Sequence, residues 1–155
     1  QLDDNAQMLL RFSNGARGSL WASQVAVGHE NGLRIRVYGE QASLEWFQEQ
    51  PNQLRYSVLG ETPRVITRGC SAAGDCANAV TRIPGGHPEG FLEAFANLYR
   101  DFADQIQARK NQQATPDNAN LVPSVTDGLK GVEFVEKAVA SSANGGIWQS
   151  LESLP

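Results

Sequence analysis

Charge, cysteine and long apolar runs are all scarce here, and each scarcity excludes something. The 155 residues carry 13 Lys and Arg against 17 Asp and Glu, a net charge of −4. A general nucleic-acid binder needs a basic stripe to replace the counterions on phosphate, so that class is excluded. No apolar run approaches the roughly 20 residues that cross a bilayer, so no membrane partner is expected. No basic-then-apolar leader is read at the opening, and a cytoplasmic location is the expectation. The two cysteines, Cys70 and Cys76, are too few for a disulfide scaffold. A zinc site needs about four N or S donors, and the only other strong candidates are His29 and His87, so no metal site is expected. The pair is either two incidental thiols in a loop or one disulfide closing it. Catalytic fingerprints are missing too: there is no G-x-G-x-x-G after a strand, no P-loop, no H-E-x-x-H and no G-x-S-x-G.

What is present fits one folded domain. The apolar fraction is 41%, and 15 glycines bring the total into the ordinary globular range. The length supports one core. The opening Gln-Leu-Asp-Asp has no Met and runs at once toward a strand. It is better explained as a piece of a longer chain than as a processed precursor.

The first half reads as strands. Met8, Leu10 and Phe12 alternate with Leu9 and Arg11 at a period of two. Asn14-Gly15 then predicts a type I′ hairpin turn, in which both central residues take positive φ. The return strand runs from about Arg17 to Val27, and Gly28 to Gly32 break it. Leu33, Ile35 and Val37 alternate with Arg34, Arg36 and Tyr38. Further strands are expected over 43–47, 54–59 and 64–67, separated by Gly39-Glu40-Gln41-Ala42, Pro51-Asn52 and Gly60 to Pro63. Short strands joined by short turns predict a largely antiparallel meander.

The pattern is two-faced. Leu33, Ile35 and Val37 are expected to face a core, with Arg34 and Arg36 on the other side beside Glu45 and Arg55. That charged side is either a solvated face or a contact surface for oligomers or domains.

The second half reads as helices. Residues 68–86 are rich in Gly, Ala and Ser and are expected to form a loop. Pro88 is expected in a helix's first turn, with Glu89 at the positive end of the dipole. Phe91, Phe95, Leu98, Tyr99, Phe102 and Ile106 recur at spacings of three and four, an amphipathic helix of about twenty residues. A polar connector runs from Arg109 to Asn120. Ser124 and Asp127 resemble a capping box. Val125, Leu129, Val132, Val135 and Val139 form a second stripe, in which Gly128 and Gly131 predict close approach to another element. Asn144-Gly145-Gly146 stops that helix, and Ile147, Trp148 and Leu151 are expected to dock back on the body.

Chemistry-bearing residues are few. His87 and Glu89, at a helix entrance, could hydrogen-bond a polyol or move a proton. Equally, His87 could cap the helix while Glu89 answers the dipole. His29 and the pair Asp3 and Asp4 are read as a strand connection and solvated acids. Gly85-Gly86-His87-Pro88-Glu89-Gly90 is glycine-rich but follows a loop, and its Pro and Glu suit a phosphate poorly.

Taken in order, several segments resemble the C-terminal domain of the Gfo/Idh/MocA oxidoreductases, the relatives of glucose–fructose oxidoreductase and inositol dehydrogenase. They are Leu10 to Leu20, Leu33 to Gly39 with Ser43-Leu44, Gly86 to Phe91 with Ala94-Phe95, Pro123 to Leu129, and Ala140 to Ser142 with Gly145. The resemblance covers nearly the whole chain. It implies an α+β fold, an open, mostly antiparallel sheet with helices packed on one face, and homo-oligomers formed through the free sheet face. It further implies an N-terminal Rossmann domain binding NAD or NADP, and a sugar, polyol or related alcohol held between the domains.

The departures bound what is carried over. The dinucleotide fingerprint, the family's Glu-Lys-Pro motif and the Asp/His segment that supplies its acid/base histidine are absent from this sequence. No catalytic, cofactor-binding or metal residue is therefore assigned. His87 and Glu89 match the turn entering a helix near the cleft and are substrate-binding candidates only. Residues 1–155 are expected to be the substrate and oligomerisation domain, incomplete at its N-terminus and without its Rossmann partner, and inactive alone. The alternative is a non-enzymatic assembly or ligand-binding domain using the same sheet. A stand-alone hydrolase lacks a nucleophile constellation.

Overall fold

Every strand pairing in the computed structural model, which describes residues 3–151, is antiparallel. The elements are β1 (Asn5–Arg11), β2 (Arg17–Ser23), β3 (Arg34–Tyr38), β4 (Ala42–Phe47), β5 (Gln53–Val58), β6 (Arg64–Thr67), α1 (Gly74–Ala79), α2 (Phe91–Lys110) and α3 (Val125–Ala143). The first two and last four residues of the expected 1–155 domain lie outside the described residues. The chain divides into two compact units, residues 1–29 with 123–155, and residues 30–122.

In the first unit β1 and β2 pair from Asn5↔Ser23 to Arg11↔Arg17. The connecting turn differs from the type I′ expectation. Only Gly15 takes positive φ, at 88°. The Gly15 N–H donates to the Phe12 carbonyl and the Phe12 N–H to the Ala16 carbonyl, both at 2.9 Å. The loop is longer than two residues, so a single left-handed glycine suffices to match the strand twist. Asn14 serves by its side chain, whose Oδ1 accepts from the Ala16 N–H at 3.0 Å. The return strand ends at Ser23, short of Val27.

Helix α3 begins where the capping box places it. The Ser124 N–H donates to Asp127 Oδ2 at 2.8 Å and the Asp127 N–H to Ser124 Oγ at 3.3 Å. It ends at Asn144, after which Gly145 and Gly146 take φ of 78° and 79°. The tail docks back: Ser141 Oγ donates to the Ile147 carbonyl at 2.7 Å, and the Arg11 guanidinium lies 4.0 Å from the Trp148 ring centroid. The expected close approach at Gly128 and Gly131 is corrected, because among the described residues no atom beyond the helix's own backbone lies within 4 Å of a Cβ built at either position.

In the second unit β3, β4, β5 and β6 form one sheet in chain order. The register aligns Ile35, Trp46, Leu54 and Ile66 in one row, and Val37, Leu44, Tyr56 and Arg64 in the next. Because side chains alternate at a period of two, Arg36, Glu45, Arg55 and Val65 form a row on the opposite face. Arg34 is on that face as well, ion-paired to Glu45 and lying over the Phe47 ring at 4.3 Å. The two faces separate as the alternation predicts, but the core expected against Leu33, Ile35 and Val37 is corrected: these residues are 51%, 51% and 57% exposed.

Residues 68–86 are not wholly loop. A 3₁₀ turn at Ser71–Ala73 leads into α1, where alanines with high helix propensity complete one short helix. Cys70 and Cys76 are free thiols. Pro88 lies before α2 rather than in its first turn, because Gly90, at φ −165° and ψ −130°, is the N-cap. Along α2, the Phe91 and Phe95 rings pack at a tilt of 52°, with centroids 4.8 Å apart. A second 3₁₀ turn, Asp117–Leu121, interrupts the polar connector and packs on α2, burying Ala108 and Ala119.

Candidate functional site at the turn entering α2

The segment between β6 and α2 is folded around Arg68, the residue directly after β6. Its backbone N–H continues the sheet by donating to the Asn52 carbonyl at 2.9 Å. Its guanidinium then points into the loop. Nε donates to Asn52 Oδ1 at 2.8 Å, Nη1 to the Ile83 carbonyl at 2.8 Å, and Nη2 to the carbonyls of His87 at 2.5 Å and Pro84 at 3.4 Å. Nη1 also lies 2.5 Å from Glu89 Oε2. A planar fork with five donors can bridge this many acceptors, whereas a lysine ammonium cannot.

Glu89 is buried, at 7% exposure. Its carboxylate takes the Arg68 charge on one side and both oxygens accept from the Arg82 N–H, at 3.0 and 3.2 Å. Arg82 in turn reaches Asn97 of α2 through its own guanidinium. The chain passes close enough here that a side chain at Gly85 would meet the Arg68 carbonyl at 3.2 Å, and Gly86 takes φ of 86°.

His87 lies on the same turn but faces outward, and its side chain is exposed. Its Nδ1 is 3.2 Å from the Pro84 carbonyl. A carbonyl can only accept, so Nδ1 carries the proton, and in the neutral ring Nε2 is then the acceptor. Neither His87 nor Glu89 caps α2. That is done by Glu93, whose Oε2 accepts from the Gly90 N–H at 2.9 Å; this bond holds the Glu93 carboxyl below the usual carboxylate range. A groove of about 550 Å³ runs between the β4–β5 turn and the start of α2, lined by Pro51, Asn52, Pro88, Glu89 and Phe91 among others.

The structure therefore brings His87 and Glu89 onto one turn, with Glu89 turned inward and His87 outward. His29 falls in the other unit. Sequence reasoning missed Arg68, Asn52 and Arg82. One signal was available: a glutamate just before a helix, in a glycine-rich turn, calls for a cation, and Arg68 and Arg82 bracket that loop. Among the described residues no three His, Cys, Asp or Glu side chains converge as a metal site would require.

The same turn does not fit a dinucleotide. A pyrophosphate needs open backbone N–H groups at a helix N-terminus that follows a strand. Here the Glu93 carboxylate takes the Gly90 N–H, and the Glu89 carboxylate lies one residue before it. Glu93 thus fills the donor an anion would need and repels it, while Glu89 keeps the Arg68 charge engaged.

Residues 1–151 match the family described as "Oxidoreductase family, C-terminal alpha/beta domain", the Gfo/Idh/MocA oxidoreductases. The chain belongs to this family. It is 37% identical over 147 residues to the uncharacterized oxidoreductase YfiI of Bacillus subtilis, covering 95% of this chain and 37% of that protein. An oxidoreductase from Sinorhizobium meliloti superposes with a TM-score of 0.90 at 47% identity, over 97% of this chain and 42% of the other. An inositol dehydrogenase homolog from Azotobacter vinelandii, complexed with NADH and myo-inositol, superposes with a TM-score of 0.87 at 39% identity, over 96% and 39% of the two chains. The α+β fold with antiparallel sheets is thus that of the Gfo/Idh/MocA C-terminal domain, and this chain spans about two-fifths of these relatives' length.

Proposed function

We propose that this chain is the substrate-side and assembly domain of an NAD(P)-dependent oxidoreductase that acts on a sugar, polyol or related alcohol. The observation that carries the reading is the likeness to the Azotobacter vinelandii inositol dehydrogenase homolog, whose structure holds NADH and myo-inositol. The nicotinamide cofactor, NAD or NADP, is bound by an N-terminal Rossmann domain outside this chain. The poor fit of a pyrophosphate at the start of α2 supports that division of labour, and no step of hydride transfer is assigned to residues here. The chain alone is inactive.

The turn from Gly85 to Gly90 borders the substrate. His87 meets a substrate hydroxyl with its exposed ring, while Glu89 serves the site by fixing the turn from within. The face bearing Arg34 and Arg36 forms the homo-oligomer. Its alternating Arg36, Glu45 and Arg55 can pair with a second copy of the same row. Two free thiols suit a reducing compartment, and the location proposed is the cytoplasm. Among the described residues no helix is long and apolar enough to cross a membrane.

The test is a titration of NADH and NADPH into the full-length protein and into this chain alone, followed by nicotinamide fluorescence. Micromolar binding by the full-length protein and none by the chain is expected. Clear micromolar binding by the chain alone would overturn the reading.

A further inference from the structure

The Arg68 guanidinium and the His87 imidazole share an acceptor. The Pro84 carbonyl receives Arg68 Nη2 at 3.4 Å and His87 Nδ1 at 3.2 Å, and the same Nη2 holds the His87 carbonyl at 2.5 Å. Arg68 is thus bonded to the backbone on both sides of the segment that sets the ring's direction. Its own position is fixed by Asn52 at the β5 side and by Glu89, and its side chain is only 14% exposed. Resting on the proposed function, we propose that Arg68 is a positioning residue for His87: by clamping the Pro84 and His87 carbonyls it selects the Nδ1–H tautomer and presents Nε2 as a hydrogen-bond acceptor to a substrate hydroxyl.

The chemistry follows from the donor inventory. A neutral imidazole has one donor and one acceptor nitrogen. With Nδ1–H committed to Pro84, Nε2 can only accept, so the partner must donate. Hydroxyls of a sugar or polyol do so; a carboxylate or phosphate does not. Without the clamp, the Pro84 carbonyl is held only by the His87 backbone N–H, at 3.3 Å, and the His87 carbonyl loses its Arg68 partner; the turn loosens, the Nδ1 bond weakens and the ring samples its other tautomer. Arg68 touches no reacting atom in this scheme, so its substitution changes binding rather than the bond-making step.

The experiment uses the full-length protein labelled with nitrogen-15 in its histidines. His87 is assigned by the signal that disappears in H87Q, and its two nitrogens are read by NMR at about pH 9, where imidazoles are neutral. The expected wild-type spectrum has a protonated Nδ1 and an unprotonated Nε2. R68Q is expected to shift His87 toward the Nε2–H tautomer and to raise KM for myo-inositol, used as the probe polyol, about tenfold with kcat little changed. R68K keeps the charge but not the fork, and is expected to fall between the two. An Nε2–H tautomer in the wild-type protein would overturn the proposal, whether or not R68Q folds. So would an R68Q protein with unchanged tautomer, or one with a changed tautomer and unchanged KM. A protein that turns over no polyol at all would sink the proposed substrate class instead, and the tautomer would still decide the role of Arg68.

Discussion

Arg68 and Glu89 form a 2.5 Å ion pair in which both side chains are sheltered, at 14% and 5% exposure. A pair buried to this degree depends on both members, because removing one leaves an uncompensated charge out of water. E89Q keeps the shape and removes the charge, and is expected to cost about 3 kcal/mol of unfolding free energy, measured by urea denaturation. A loss below about 0.5 kcal/mol, the ordinary effect of a surface substitution, would show that the pair is solvent-screened and that the turn is held by other means.

The start of α3 is expected to be pH-sensitive in one direction. Asp127 is held below its ordinary value of 3.8, first by the Ser124 hydroxyl and then by the Ser124 N–H. A depressed carboxyl contributes stability that is fully present above the ordinary value and is lost as pH falls through the lower, folded-state value. Circular dichroism across that acidic window should show α3 loosening in the wild-type chain, and D127N should flatten the dependence. S124A removes the cap itself and is expected to cost about 1 kcal/mol at neutral pH. Equal pH profiles for wild type and D127N would contradict the capping assignment.

How far the fold was legible can be judged from these two places. The box at Ser124 and Asp127 and the Asn144-Gly145-Gly146 stop are local hydrogen-bond and φ/ψ preferences, and local preferences are written in adjacent residues. The alternation of Ile35 and Val37 with Arg34 and Arg36 likewise fixes the two faces of β3. Arg68 and Glu89 are 21 positions apart in the sequence, and nothing local pairs them; only the path of residues 69–88 does. The Asn14-Gly15 turn failed as a type I′ prediction because the loop is longer than two residues, which relieves Asn14 of positive φ. His87 was visible as a candidate, but the carbonyl that sets its tautomer was not.

Gly128 and Gly131 offer a test of packing. Among the described residues nothing outside the helix approaches either position, so alanine there meets no neighbour and gains helix propensity. Each of G128A and G131A is expected to raise stability by up to about 1 kcal/mol. A loss of stability in either variant would show that a neighbouring surface comes closer than 4 Å there.

The charged sheet face gives the assembly prediction. In R36E with R55E, the row Arg36, Glu45 and Arg55 becomes three adjacent acids. The wild-type protein is expected to be a dimer or larger by light scattering and the double variant to be smaller. A wild-type monomer at high concentration would count against an interface on this face.

The central claim is that this domain belongs to an enzyme moving hydride between an alcohol carbon and a nicotinamide. The most direct measurement is nicotinamide reduction by the full-length protein, with NAD and with NADP, across a panel of sugars and polyols that includes myo-inositol, with this chain alone run beside it. Steady turnover by the full-length protein on at least one substrate, and none by the chain, is the predicted result. No turnover with either cofactor on any sugar, polyol or related alcohol would contradict the account.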